Sequence, residues 1–247
     1  MDRSRSRALL DYGSNTTSGV NIPTDRRSGH RGRPSADRRR TVGGSVRPME
    51  LTEAVRRRHM TRSFSGRPLQ PGVLHHLLAL ALRAPSAGNT QGREFVVLEG
   101  SEQTARFWAA TTDEVWRARS RRFEGLSRAP VLILPFADPE AYVARYREPD
   151  KHPPDGSDVG WVVPFWFVDA GFAVMTLLLG AVDSGLGAAF LGNFRGEEAL
   201  RATLGVPERL RWLGAVLLGE ASGPDPRPVS AHRPRRTLED SVHRGGW

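Results

Sequence analysis

The sequence predicts one domain of mixed helices and strands over residues 49–247, preceded by an arginine-rich segment with no core of its own. Three observations carry this. Some stretches place apolar residues at helical spacing, as in Leu74, Leu77, Leu78, Ala81 and Leu82. Others are short apolar runs bounded by Pro or Gly, as in Phe95–Leu98, Pro130–Phe136 and Leu213–Gly219. Residues 1–48, by contrast, hold eleven Arg and four Asp with few large apolar side chains, a composition expected to stay disordered.

The elements follow in order. Met49, Leu51, Ala54 and Val55 can share one face of a short helix. The Leu74–Leu82 helix ends at Ala84-Pro85, because the residue before proline avoids the helical region. Ser86-Ala87-Gly88-Asn89 is turn chemistry, and Phe95–Leu98 is a buried strand. Thr104–Phe123 is helix-compatible, anchored by Trp108, Val115 and Trp116. Pro130–Phe136 is a second buried strand. Residues 137–160 read as a proline-rich, charged loop, either a mobile surface loop or a lid over a site. Trp161–Ser184 is apolar nearly all round, as a central buried helix should be. Asp169 near its start suits the positive end of the helix dipole, and Gly185-Leu186-Gly187 stops it. Its aromatic residues fit core or subunit contacts better than a cofactor box. Gly187–Phe194 is a strand of small residues, Glu197–Leu204 a helix, and Leu213–Gly219 a last strand.

Composition excludes several chemistries. With no cysteine there is no disulfide, thiol nucleophile or cysteine metal site. No uninterrupted apolar run reaches the ~20 residues that span a bilayer, since Trp161–Val182 contains Pro164 and Asp169. Residues 1–48 lack the apolar core of a secretory signal. A cytoplasmic protein without membrane contact is therefore expected. The net charge is +9, but residues 1–48 carry seven of those nine charges. A GC-rich coding sequence and phosphate binding both produce such an arginine bias. The tail has no aromatic interleaving beyond Tyr12 and no finger, helix-turn-helix or RNA-motif signature, so no specific nucleic-acid partner is expected. A chain starting at Met49 would retain every motif below.

Arg58 and Arg62 are four apart. Two guanidiniums so spaced make an anion site, or simply a solvated basic helix end. The Pro85–Gln91 turn is either a plain connection or a loop presenting polar groups to a ligand. Taken together, Arg58-His59-Met60-Thr61-Arg62-Ser63-Phe64 followed by Ala84-Pro85-Ser86-Ala87-Gly88-Asn89-Thr90-Gln91 resembles the FMN-dependent nitroreductase-like flavoenzymes. The resemblance extends through Gly187–Phe194 and Leu213–Gly219 to the closing Arg233-Pro234-Arg235-Arg236, whose other reading is a frayed basic tail.

That resemblance implies an α+β fold with a mixed, mainly antiparallel central sheet flanked by helices. It also implies an intertwined homodimer with FMN at the subunit interface and NAD(P)H as electron donor. Arg58, Arg233 and Arg235 would hold the phosphate, with His59 and the Met60 backbone nearby. Arg62 would sit by flavin N1 and O2, where negative charge collects on reduction. Pro85, Ser86, Ala87, Asn89 and Gln91 would frame the ring. A backbone amide at Leu191, Gly192 or Asn193 would face N5. The cofactor would carry the chemistry, so no catalytic acid–base pair and no metal ligand is nominated. The implied reaction reduces an electrophilic small molecule, such as a nitroaromatic, quinone or enone. Reductive dehalogenation and flavin fragmentation are alternatives on the same fold, and nucleic-acid binding through the basic tail is an alternative from another class. Two departures stand out. Met60 replaces a small hydroxyl residue, and its thioether donates nothing to phosphate. Gly92-Arg93 replaces a common Pro and aromatic, which would loosen the turn or bring a charge to the substrate side.

Overall fold

The computed structural model describes residues 49–120, 122–192, 195–223, 225 and 232–247. The expectations for residues 1–48 and for Asn193 lie outside the described residues. The elements are α1 (Leu51–Arg57), α2 (Val73–Leu82), a single 3-10 turn (Ala87–Asn89), β1 (Arg93–Glu99), α3 (Gly100–Thr111), α4 (Glu114–Arg119), α5 (Phe123–Ser127), β2 (Val131–Ala137), α6 (Pro139–Arg145), α7 (Phe165–Asp183), β3 (Gly187–Gly192), α8 (Glu197–Leu204), β4 (Arg211–Trp212) and β5 (Gly214–Gly219).

The sheet runs in the order β1-β2-β5-β3, and every strand pair in it is antiparallel. A parallel bridge from Met60 to Ala188 makes the sheet mixed. β4 and β5 pair with the same strand, β2, but the register slips by one residue between Trp212↔Phe136 and Val216↔Ile133. The slip is a bulge at Leu213-Gly214. Gly214 takes φ 144° there, and a Cβ would meet the Leu191 carbonyl at 2.2 Å.

The two faces of the sheet are covered differently. One buries Phe107, Trp108, Leu132, Leu134, Trp212 and Leu217 beneath α3, α5 and α8. The other buries Leu77, Ile133, Ala173, Leu177, Val216 and Leu218 beneath α2 and α7. α7 is the central buried helix that its sequence predicts. It is also long and apolar enough to cross a membrane, a property it shares with soluble core helices. Gly180 lets α2 pack closely, since a Cβ there would stand 2.9 Å from Leu77 Cδ2.

Three expectations change. The Thr104–Phe123 helix is broken into α3, α4 and α5, because Thr112 is extended and the Asp113 side chain caps α4 by accepting from Trp116 N–H. The 137–160 loop contains α6, announced by an Asp138 N-cap and Pro139 in the first turn. The apolar face expected of α1 is largely uncovered: Ala54 is buried, but Leu51 and Val55 are 68% and 55% exposed. They belong to a wider set of exposed apolar side chains that includes Leu82, Phe172 and Met175.

Candidate functional site

The arginine segment is fixed to the sheet by its backbone. Thr61 N–H donates to Ala188 O at 2.9 Å, Ser65 N–H to Glu220 O at 2.9 Å and Ser222 N–H to Ser63 O at 3.0 Å. Arg62 N–H donates to Asp225 Oδ2 at 2.6 Å. Glycine makes this approach possible. At Gly187 a Cβ would meet Thr61 Oγ1 at 2.7 Å, and at Gly125 it would meet the Arg62 carbonyl at 2.4 Å. Met60 points into the structure, packs against both cores, and accepts from Phe190 N–H through Sδ at 3.3 Å. Its side chain is therefore a sheet-edge contact, and only its backbone remains for a ligand. The Met60 carbonyl already accepts from Arg62 Nη1.

Arg58 and Arg62 are half-buried, and among the described residues neither guanidinium has a carboxylate partner. Most other arginines with described contacts are paired; Arg145, Arg147, Arg201 and Arg209 all have acidic partners. Two uncompensated, partly desolvated cations on one short segment fit a phosphate dianion. His59 is exposed, with Nδ1 within 3.0 Å of Arg57 O.

The 85–91 turn is gripped from several sides. Ala87 N–H and Tyr142 O–H both donate to Asp169 Oδ2, at 2.8 and 2.6 Å. Arg145 Nε donates to Gly88 O at 2.8 Å, and the Tyr146 ring lies over Gly88. Within the turn, Gln91 N–H donates to Ser86 Oγ and Thr90 Oγ1 to Ala87 O. Asn89 and Gln91 take positive φ, 53° and 56°, unusual for residues with a Cβ. Both are exposed, and their side chains have no partner among the described residues. Burial and the Asp169 carboxylate push the Tyr142 hydroxyl pKa well above the ordinary phenol value, so the phenol stays a donor.

The two departures thus act inward. Gly92 does not loosen the turn: the Tyr142 ring fills its space, and a Cβ would stand 2.6 Å from Tyr142 Cε2. Arg93 does not reach a substrate side. It is 6% exposed, and its Nη2 donates to Leu82 O and Ala84 O at the end of α2. Asp169, 2% exposed, turns its carboxylate to the turn rather than to its own helix dipole.

Leu191 and Gly192 close β3 and line a cavity of about 240 Å³ together with Trp108, Trp116, Trp212 and Arg195. Trp108 Nε1 is buried there without a partner among the described residues. Arg233 and Arg235 stand on the exposed segment 232–247, whose described hydrogen bonds stay within it. No group of metal-ligating residues occurs among the described residues.

The expected site residues therefore fall into separate places. The arginine segment lies on the β3 edge, near the C-terminal end of α7. The turn enters β1, on the opposite edge, and binds Asp169 near the N-terminal end of α7. Three strand spacings separate the edges, about 14 Å. Asp169 and Asp183 are about 20 Å apart along α7. Sequence reasoning missed the Asp169, Tyr142 and Arg145 contacts. The Asp138-Pro139 cap signals α6, but no local pattern signals its partners.

A model of the nitroreductase family matches residues 55–220, ending before Arg233 and Arg235. A protein of Archaeoglobus fulgidus, provisionally named NADH dehydrogenase/NAD(P)H nitroreductase, is 28% identical over 201 residues, spanning 80% of this chain and 99% of its own. A nitroreductase family protein from Clostridium novyi superposes with a TM-score of 0.55 at 24% identity, covering 70% of this chain and 86% of its own. A provisionally assigned nitroreductase from Desulfovibrio desulfuricans, solved in complex with FMN, superposes with a TM-score of 0.53 at 23% identity, covering 76% and 96%. At these identities the two structures establish the fold.

Proposed function

The chain belongs to the nitroreductase family, and from that premise we propose that it is an FMN-dependent oxidoreductase using NAD(P)H to reduce an electrophilic small molecule. The observation that carries the reading is the pair of guanidiniums, Arg58 and Arg62, that have no carboxylate partner among the described residues and sit on a segment fixed along the β3 edge. A phosphate and an electron-rich ring edge are the groups such cations accept.

When bound, FMN supplies hydride carriage between NAD(P)H and an acceptor such as a nitroaromatic, quinone or enone. The residues do the rest. Arg58, with Arg233 and Arg235, binds phosphate, beside His59 and the Met60 backbone. Arg62 offers positive charge to the ring edge that gains electron density. Leu191 and Gly192 offer backbone at the end of β3, and Asn193 is assigned with them from the family resemblance. Pro85, Ser86, Ala87, Asn89 and Gln91 frame the ring, with Asn89 and Gln91 supplying free side-chain donors.

We further propose that the turn comes from a second copy, so that the working unit is a homodimer. The separation of turn and arginine segment supports this. So do the exposed apolar residues Leu51, Val55, Leu82, Phe172 and Met175 on α1, α2 and the α7 that both contact. Residues 49–247 carry the function in this reading. Residues 1–48 are dispensable to it, and flavin content should be equal with and without them.

The test is direct. The purified protein should be yellow, release FMN on denaturation and oxidise NADH or NADPH when a quinone or nitroaromatic is added. A colourless protein that takes up no FMN would remove the proposal.

A further inference from the structure

The 86–91 turn is held by buried groups that the chemistry above does not use. Asp169 is 2% exposed and Tyr142 fully buried, and Asp169 Oδ2 accepts from both the Tyr142 hydroxyl and the backbone amide of Ala87. A carboxylate this deep is costly unless its partners are fixed. Arg93 stands close enough to act electrostatically on Tyr142, and its Nη2 holds the carbonyls that lead into the turn. From the other side, α6 sends Arg145 to the Gly88 carbonyl and packs Tyr146 on the Gly88 backbone. Arg145 is itself held by Asp150 at 2.6 and 2.7 Å.

The left-handed residues are the informative ones. Asn89 and Gln91 both take positive φ, which asparagine tolerates in turns and glutamine rarely adopts. They are also the turn residues whose side chains remain free. The tethers therefore spend conformational freedom on presenting two donors in one pose, as preorganised binding requires.

We propose that Tyr142 and Asp169 are positioning residues for the flavin ring, acting through the Ala87 amide to fix Asn89 and Gln91. The inference rests on the FMN reading. It goes further by assigning a role to two buried residues on α6 and α7 that bind no ligand themselves. It also makes α6, in the 137–160 segment, part of the ring-binding apparatus.

The test uses the full chain and Tyr142→Phe, which removes one hydroxyl and leaves the ring that fills the space at Gly92. Three quantities are measured: hydrogen exchange at the Ala87 amide, dissociation constants for FMN and riboflavin, and the flavin midpoint potential. Exchange should accelerate. Both flavins should weaken by the same factor, about fivefold, because the lost contact orders the ring side and not the phosphate. The potential should fall as donors to the ring edge lose their pose. Asp169→Asn keeps an acceptor for the Ala87 amide and should show the same changes in smaller measure, while Asp169→Ala exceeds both. Faster exchange with unchanged flavin affinities and potential would make the tether purely structural and overturn the proposal. A parent protein that binds neither flavin would instead defeat the FMN reading, and this inference with it.

Discussion

The arginine segment and the 85–91 turn are built on opposite principles. The arginine segment borrows its order from the sheet. Its backbone bonds to β3 and the chain after β5, Met60 Sδ takes an amide of β3, and its two guanidiniums have no carboxylate partner among the described residues. The turn meets the sheet only where it runs into β1, and is pinned by side chains from α6 and α7, with free neutral donors. The first is arranged to bind charge and the second to bind shape. In the proposed reading each serves a different end of one flavin, supplied from different copies.

The sharpest way to break this comparison is to disable the two regions in different chains. Arg58→Ala with Arg62→Ala should weaken FMN by about a hundredfold to ten-thousandfold, and Asn89→Ala with Gln91→Ala by about tenfold. If the site is shared, hybrid dimers of the two variants contain one doubly damaged site and one intact site. Isolated hybrids should then titrate with half the parent's high-affinity FMN. No high-affinity site at all would place both regions in one chain.

Next in size is Arg58→Ala alone, with an expected loss of about tenfold to a hundredfold for FMN and little change for riboflavin, read by fluorescence quenching. Arg235→Ala should share this pattern if the exposed C-terminal segment reaches the phosphate. Arg62→Ala should lower the flavin potential even at saturating FMN.

Two glycines sharpen the contrast further. Gly187→Ala forces a Cβ against Thr61, and Gly92→Ala forces one against Tyr142. Each overpacking should cost about 1–3 kcal/mol of stability, seen in thermal unfolding. In the folded protein Gly187→Ala should reduce FMN affinity more than riboflavin affinity, and Gly92→Ala should reduce both alike.

The smallest effect concerns pH. The Arg145 guanidinium beside Asp150 lowers its carboxyl pKa to about 2. A depressed carboxylate stabilises the fold above its ordinary pKa and loses that contribution as pH falls through the lowered value. The Arg145 grip on Gly88 should thus persist through mild acid and loosen only as pH falls toward about 2. Ala87 and Asn89 amide exchange, corrected for its intrinsic pH dependence, should be flat between pH 5 and 8.

Much of the fold was legible because its signals are local. The α2 stripe, the helix stop after Leu82, the apolar β2 and the glycines around β3 each mark an element by spacing or backbone chemistry. The α8 bounds, Glu197–Leu204, agree in sequence and structure. The bulge at Leu213 was hidden, since it depends on a partner strand distant in sequence, whereas the split of α3 from α4 rests on a local signal, the Asp113 cap on Trp116 N–H. The same holds for the site. Arg58 and Arg62 form a recognisable pair, but that Arg93 faces inward follows only from α2 and Tyr142. The separation of the two motifs became visible only once strand order was known.

The placement of residues 58–65 also bears on solubility. β3 ends the sheet on its side, and an uncovered terminal strand is a template for pairing with other chains. Met60 and Thr61 occupy part of that template and Phe64 bridges to Ala221 just after β5, so the stretch that would bind phosphate is also a guard of the sheet edge. If this segment holds FMN as proposed, cofactor loss and aggregation are tied together. Protein stripped of flavin should form strand-paired aggregates sooner than the loaded protein, and added phosphate should delay them.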